Sequence, residues 1–231
     1  MTILREIIDN LASRVIEGAT GNDLERYAEL LMQIHEVEPA FKGYQPKGFS
    51  GAYPNILCVS INGEVIHGLP DDRKFEDGDV VKIDCGTKDR SHGQYDDGAT
   101  TVIVGRVSAA ARRLVKGTRE ALEAAVALAK PGVTTDDLAA AIEAVAKRYE
   151  LAVIHGYGGH GIGTELHMEP FIPNEVVEGV PSVELVAGQR IAIEPMLSTN
   201  KGITQVAANG WTVKLIGGGI AAHFERTTFI E

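Results

Sequence analysis

Apolar positions along the chain switch several times between a helical and a strand period. Leu4, Ile7, Ile8, Leu11 and Val15 recur at i, i+3, i+4, i+7 and i+11, which predicts an amphipathic helix packed on a core. A connection over 18–24 leads into a second helical run ending near Glu36. The segment after it carries Pro39, Gly43, Pro46, Gly48, Gly51 and Pro54 and reads as loop. Residues 55–61 predict a strand, and His67-Gly68-Leu69-Pro70 a turn. The apolar run 79–84 predicts a strand closing on Asp84. A polar turn over 87–96 then leads to a strand beginning near Asp97, so the two form a hairpin that brings both aspartates together. Residues 108–130 predict a long Ala-rich helix, capped by Ser108 and closed by Pro131-Gly132. Another helix covers about 135–149, with Leu138, Ile142, Val145 and Tyr149 on one face. Strands recur at about 151–155, 190–197, 211–216 and 222–230, interrupted by a loop from His160 to His167 and an extended stretch over 170–186.

Two halves of this pattern match each other. Gly-Ala-Thr-Gly-Asn-Asp-Leu at 18–24 resembles Gly-Val-Thr-Thr-Asp-Asp-Leu at 132–138. Gly-Asp-Val-Val-Lys-Ile-Asp at 78–84 resembles Gly-Gln-Arg-Ile-Ala-Ile-Glu at 188–194. Each half supplies a helix pair and then a strand ending in an acid. The expected organisation is one domain over 1–231, built of pseudo-repeats at about 1–107 and 108–231, with a pseudo-twofold that sets the acids face to face.

Composition narrows the class. The chain has 231 residues, 44% of them hydrophobic, enough for an ordinary packed core. A net charge of −10 argues against nucleic acid as the main ligand, since phosphate binding is built on surplus Lys and Arg. The first twenty residues carry Arg5, Glu6, Asp9 and Arg14 and hold no apolar run of signal-peptide or membrane-span length. The two cysteines, Cys58 and Cys85, read as free thiols of a reducing compartment, with the cytoplasm expected.

The chemistry centres on 159–170, where His160 and His167 stand seven apart around a glycine-rich turn. Alone, this is as compatible with a solvated loop as with a metal ligand. Four carboxylates at strand positions change that balance: Asp84, Asp97, Glu194 and Glu225 each lie in or beside a β-branched or apolar run. Any one of them suits a half-wet strand, but four together require cationic compensation, because an unpaired buried carboxylate is strongly disfavoured. Four carboxylates and one imidazole form a hard, oxygen-rich set that suits Mn(II), Fe(II), Co(II) or Zn(II). Five ligands are too many for one open catalytic ion and fit two ions with shared carboxylates, a pair that activates water and polarises a carbonyl. The residues alone reach a dinuclear hydrolase and no further. His35 on a helix and His92 in a polar turn read as surface residues. His155 and His223 flank site strands and are candidates to support the ligands. Cys85 follows Asp84 and by alternation faces the other way.

The motifs carry a more specific likeness. Ile-Asn-Gly-Glu-Val-Ile-His-Gly-Leu-Pro (61–70), Val-Lys-Ile-Asp (81–84), Asp-Gly-Ala-Thr-Thr (97–101), Gly-His-Gly-Ile-Gly (159–163), Ile-Glu-Pro-Met (193–196), Gly-Trp-Thr-Val-Lys (210–214) and Ala-His-Phe-Glu-Arg-Thr (222–227) together resemble the type I methionine aminopeptidases, over about 3–230. The resemblance implies an α/β (α+β) pita-bread fold, in which helices pack on a curved antiparallel sheet with an internal pseudo-twofold. It implies two divalent ions held by Asp84, Asp97, His160, Glu194 and Glu225. Asp97 and Glu225 would bridge the ions, with Asp84 and His160 on opposite ones. Glu194 would also take the proton of the attacking water, His167 would bond the scissile carbonyl and its tetrahedral intermediate, and His67 would contact substrate beside the cleaved bond. Tyr53, Cys58, Leu166 and Trp211 would line the methionine pocket, an apolar and aromatic setting that suits a thioether. The implied activity is removal of the initiator methionine before a small second residue. The partner is then a peptide or nascent-chain N-terminus, met at the ribosome by a monomer with no membrane.

The chain departs from the resemblance at several places. A segment of longer relatives is missing before the first helix, and the connection from Asp84 to Asp97 is slightly long. Leu166 stands for an aromatic pocket residue, Met168 for an acid and Arg226 for a histidine. The enzyme alternative is an Xaa-Pro aminopeptidase or prolidase, whose extra N-terminal domain has no room in 231 residues. A non-catalytic pita-bread domain that only binds peptides is the third reading, and retention of all five ligand residues weighs against it.

Overall fold

A computed structural model describes residues 2–46 and 51–231, so Gly48 of the expected loop lies outside the described residues. The first half holds α1 (Ile3–Ala12), α2 (Gly21–Ile34), β1 (Val37–Pro39), β2 (Leu57–Ile61), β3 (Glu64–Ile66), β4 (Val80–Asp89) and β5 (Tyr95–Ile103). The second holds α3 (Ala109–Leu128), α4 (Thr135–Arg148), β6 (Ala152–Val153), β7 (Gly158–Gly161), β8 (Met168–Pro173), β9 (Arg190–Ile193), β10 (Met196–Ser198), β11 (Thr204–Val206), β12 (Val213–Leu215), β13 (Ala221–His223) and β14 (Glu225–Phe229). Strands run β1-β4-β5-β14-β9-β7-β8 in the main sheet, with β2 also on β4, and every pairing is antiparallel. Two three-stranded sheets, β13-β10-β6 and β11-β12-β3, adjoin it.

The four helices form where the apolar period placed them, each opened by a Ser or Thr cap. Thr20 and Thr134 close reciprocal boxes with Asp23 and Asp137, which satisfies first-turn donors that would otherwise be unpaired. Two apolar layers hold them to the sheet. Ile7, Leu11, Leu24 and Ala28 pack on Val81, Ile83 and Cys85, and Leu114, Leu122, Leu138 and Ile142 pack on Ile191, Ile193 and Ile230. Cys85 thus turns toward the helices, as alternation along β4 requires.

The matched sequence segments have matched backbones. Gly18 N donates to Phe75 O and Gly132 N to Leu185 O, both at 2.9 Å, and the return bonds Phe75 N to Ala19 O and Leu185 N to Val133 O are both 2.8 Å. Gly18 and Gly132 have φ of 85° and 86°, a conformation in which a Cβ is strained. In the sheet β5 pairs with β14 at the centre, flanked by β4 and β9, so like elements of the two halves meet across the middle.

Several boundaries differ from expectation. Asp84 sits mid-strand, because β4 continues to Asp89 and the hairpin turn shrinks to 90–94. The expected strands at 190–197 and 222–230 each break, after Ile193 and after His223, where the chain passes from the main sheet to a small one or back. His160 belongs to strand β7 rather than to a loop, and β1, β3, β8 and β11 arise from short runs with little period of their own.

Candidate metal centre

The register of the main sheet gathers the carboxylates. Asp84 on β4 and Glu225 on β14 both lie opposite Ala99 on β5, a small residue that leaves the space between them open. Asp97 stands two residues from Ala99 and so shares its face. Glu194 follows the last residue of β9, and His160 enters from β7 opposite Ala192. His160 Nε2 consequently lies 4.0 Å from Asp97 Oδ2, Glu194 Oε1 and Glu225 Oε1 alike. Asp84, Asp97 and Glu225 form one close donor group, and His160, Glu194 and Glu225 form another. Asp97, Glu194 and Glu225 therefore all lie at one distance from a single ring nitrogen.

These groups are held from behind. His160 Nδ1 bonds the Gly161 carbonyl at 2.9 Å, so Nδ1 carries the ring proton and Nε2 offers its lone pair to the acids. Asp97 Oδ1 accepts from Gly98 N at 2.9 Å, and its backbone is tied to the Thr227 hydroxyl through bonds of 3.0 and 2.9 Å. Asp84 Oδ1 is buried without a hydrogen-bond partner.

Burial, and after it the mutual repulsion of the carboxylates, pushes Asp84, Asp97, Glu194 and Glu225 well above the usual carboxylate range. None of the four reaches a Lys or Arg side chain in an ion pair among the described residues. Four converging acids, an unpaired buried oxygen and an imidazole lone pair aimed among them fit a divalent cation, whose charge removes the repulsion.

Among the described residues, two spaces open beside His160 and Glu194. One, about 170 Å³, is walled by Phe41, Tyr44, Tyr53, Cys58, Leu166 and Trp211, with Asp84, Asp97, His160, Glu194 and Glu225 at its base. Tyr53 and Trp211 meet edge to face with centroids 5.0 Å apart, and the Tyr53 hydroxyl donates to Gly68 O at 3.0 Å. The other space, about 730 Å³, is an open cleft past His67, His160, His167 and Glu194, flanked by Tyr157, Met168 and Phe171. His67 and His167 line both.

The His167 ring lies 4.3 Å from that of His160 and bonds the Tyr44 hydroxyl through Nδ1 at 2.7 Å. His167 is exposed on the cleft side, yet crowding by protein atoms, and then its neighbours His160 and His67, holds it below the ordinary imidazole value, and burial lowers His67 to about 4. Both rings are therefore neutral near pH 7.

Every site residue expected from the sequence borders one of these two spaces. Phe41 and Tyr44 were not among them; the only sequence signal was a run of aromatics inside a Pro- and Gly-rich loop. His155 turns away to pair with Glu175 at 2.6 Å, whereas His223 lies buried against Glu194.

The whole chain, residues 1–231, matches the model of metallopeptidase family M24. The chain belongs to this family. It is 43% identical over 230 residues to the methionine aminopeptidase of Aquifex aeolicus, covering 99% of this chain and 88% of that protein. It is 39% identical over 220 residues to methionine aminopeptidase 1 of Mycobacterium tuberculosis, covering 92% and 79%. Among solved structures, the methionine aminopeptidase of Thermotoga maritima superposes with a TM-score of 0.92 at 37% identity, covering 99% of this chain and 88% of that one. The prolidase of Pyrococcus furiosus reaches 0.72 at 22% identity and covers 58% of its own chain, which shows a shared fold alone. The M24 chain described here thus has the pita-bread architecture and is a metal-dependent peptidase of the methionine aminopeptidase type.

Proposed function

We propose that this chain removes the N-terminal methionine from peptides and new proteins whose second residue is small, acting as a single catalytic domain over 1–231 in two pseudo-repeats. The observation that carries the reading is the contact between the cavity walled by Tyr53, Cys58, Leu166 and Trp211 and the base of the acid cluster. A methionine side chain of thioether length fills such a space against aromatic edges. Its carbonyl then lies over the carboxylates, and the rest of the peptide leaves along the wider cleft.

In this reading Asp84, Asp97, His160, Glu194 and Glu225 would hold two divalent ions of the Mn, Fe, Co or Zn class, which would supply Lewis-acid charge to the scissile carbonyl and to a water. Glu194 accepts the proton of the attacking water and passes it to the leaving amine. His167, with the Tyr44 hydroxyl donating to Nδ1, keeps its proton on Nε2 and gives it as a hydrogen bond to the developing oxyanion. His67, neutral and with Nδ1 unpartnered, bonds the substrate backbone beside the cleaved bond.

A monomer in the cytoplasm, meeting nascent chains at the ribosome through protein contacts rather than as a nucleic-acid binder, completes the proposal. No described helix is long and apolar enough to cross a membrane. The test is hydrolysis of Met-Ala-Ser, Met-Leu-Ser and Ala-Pro peptides by metal-stripped protein, with Mn(II), Fe(II), Co(II) and Zn(II) added back in turn. Cleavage of Met-Ala-Ser far ahead of the other two, only with metal, is expected. Equal rates on Met-Leu-Ser, or preference for Ala-Pro, would overturn it.

A further inference from the structure

Glu194 occupies the break between β9 and β10, where its backbone carbonyl accepts from the Asn174 side-chain amide at 3.0 Å. Its two carboxyl oxygens face different neighbours. Oε1 lies 4.0 Å from His160 Nε2 inside the acid cluster, and Oε2 lies 3.4 Å from His223 Nε2 on the other side.

His223 is built into place. It ends β13 opposite Met196 on β10, two residues past Glu194, and is 1% exposed. Its backbone is clamped from β5: His223 N donates to Thr101 Oγ1 at 3.0 Å, and the Thr101 hydroxyl donates to His223 O at 2.6 Å. Phe224 N, next along, donates to Pro195 O at 3.3 Å. Two elements therefore fix where the ring emerges, while the ring itself has no hydrogen-bond partner at either nitrogen. An imidazole in any state carries at least one N–H, and leaving it uncommitted in a dry interior is unfavourable, so a residue present only to fill space would be apolar. The neighbouring buried cation, Lys82, is committed to the carbonyls of Asn62 at 2.8 Å and Val80 at 3.2 Å. Glu194 Oε2 is the acceptor within reach.

We infer that His223 is a positioning residue for Glu194: its Nε2–H holds Oε2, and this turns Oε1 toward the cluster as ligand and proton acceptor. The inference rests on the roles proposed above for Glu194. The 3.4 Å approach is not yet aligned as a full hydrogen bond, and contacts of this kind commonly tighten once the working complex forms. His223 itself transfers no proton, and Thr101 acts one step further back by fixing its main chain.

The experiment compares His223→Ala, His223→Leu and His223→Gln in the full chain. It measures kcat and KM on Met-Ala-Ser, Mn(II) affinity of the stripped protein by calorimetry, and the melting temperature of the stripped protein. Losing such a support is expected to lower kcat and Mn(II) affinity about 10–100-fold in the Ala and Leu variants, with KM nearly unchanged. The Gln variant, whose amide N–H reaches the same oxygen, should recover most of both. Leu fills the ring's volume, so it separates a lost hydrogen bond from a lost contact. The inference is overturned if Leu retains wild-type kcat and Mn(II) affinity, or if a Gln variant that melts like wild type is as impaired as Leu. Failure of wild type to cleave Met-Ala-Ser would instead remove the functional reading, and the Mn(II) titrations would still decide the role of His223.

Discussion

Gly159→Ala tests whether the glycine-rich motif is a flexible loop or a packed strand that sets ligand positions. Gly159 lies on β7 opposite Ile172 of β8, next to the His160–Ala192 pair with β9. A Cβ placed on it would stand 2.0 Å from Ala192 O, 3.0 Å from that carbonyl carbon and 3.3 Å from Ile172 Cβ. A carbon needs about 3.3 Å from a carbonyl oxygen, so β7 and β9 would have to separate by roughly 1.3 Å. His160 is the next residue, and Glu194 is two beyond Ala192, so the displacement falls directly on their 4.0 Å spacing. A misplacement of about 1 Å can cost 10²-fold in rate, and overpacking typically costs about 1–3 kcal/mol. At about 2–4 °C per kcal/mol for a chain of this size, melting should fall by roughly 2–12 °C. Gly163→Ala is the internal control, because its Cβ meets only Met168 Sδ at 3.4 Å and Gln94 Oε1 at 3.6 Å. Peptide hydrolysis, bound-metal analysis and thermal melts on both variants decide the matter. A Gly159→Ala enzyme within threefold of wild type, or a Gly163→Ala enzyme equally impaired, would refute the packing argument.

Glu194→Gln should abolish turnover, since an amide neither accepts the water's proton nor supplies the charge; a tenth of the wild-type rate would show the base to be elsewhere. His160→Ala should lower metal affinity and rate together, whereas His167→Ala should lower kcat about 10²–10³-fold with metal content intact, and metal analysis showing the reverse would exchange their roles. Metal-stripped protein should lose stability as pH rises. The folded-state pKa values of Asp84, Asp97, Glu194 and Glu225 are raised, so the folded form binds more protons than the unfolded form, and that stability is complete below the ordinary carboxylate range and lost through the raised values. The melting difference between loaded and stripped protein should therefore widen from pH 5 to 8, and a constant difference would contradict the burial of these acids.

Much of this was legible because helices and acids leave strong local signals. The i, i+3, i+4 spacing of Leu4, Ile7, Ile8 and Leu11, and the Thr-x-x-Asp boxes at 20–23 and 134–137, need no tertiary context to be read. The strand ends were harder. Glu194 and Phe224 sit inside apolar runs that look continuous, and only the transfer of the chain between two sheets breaks them. Around His160 the flanking glycines suggest a bending loop, whereas their role is close approach: at Gly159 and Gly161 a Cβ would collide with Ala192 O and Glu169 O. Tyr44 escapes assignment for a related reason: its importance comes from a single contact to His167 across 123 residues of chain, which no spacing rule anticipates. His223 is legible as a supporting residue from its place beside a site strand, but its contact to Glu194 is not.

The fold and the site obey opposite demands, and the sheet separates them. One face carries the apolar contacts of the four helices, which stabilise the domain without reference to any ion. The other face gathers four carboxylates whose mutual repulsion opposes folding until a cation compensates them. The two halves contribute unequally: Asp84 and Asp97 come from the first, His160, Glu194 and Glu225 from the second. They are joined where Gly98 and Ala99 of β5 pair with Arg226 and Glu225 of β14. There the Thr227 hydroxyl both accepts from Asp97 N and donates to Asp97 O. The same seam therefore holds the halves together and fixes the separation of Asp97 from Glu225. A substitution that removes the Thr227 hydroxyl is therefore expected to weaken metal binding through Asp97 as well as stability.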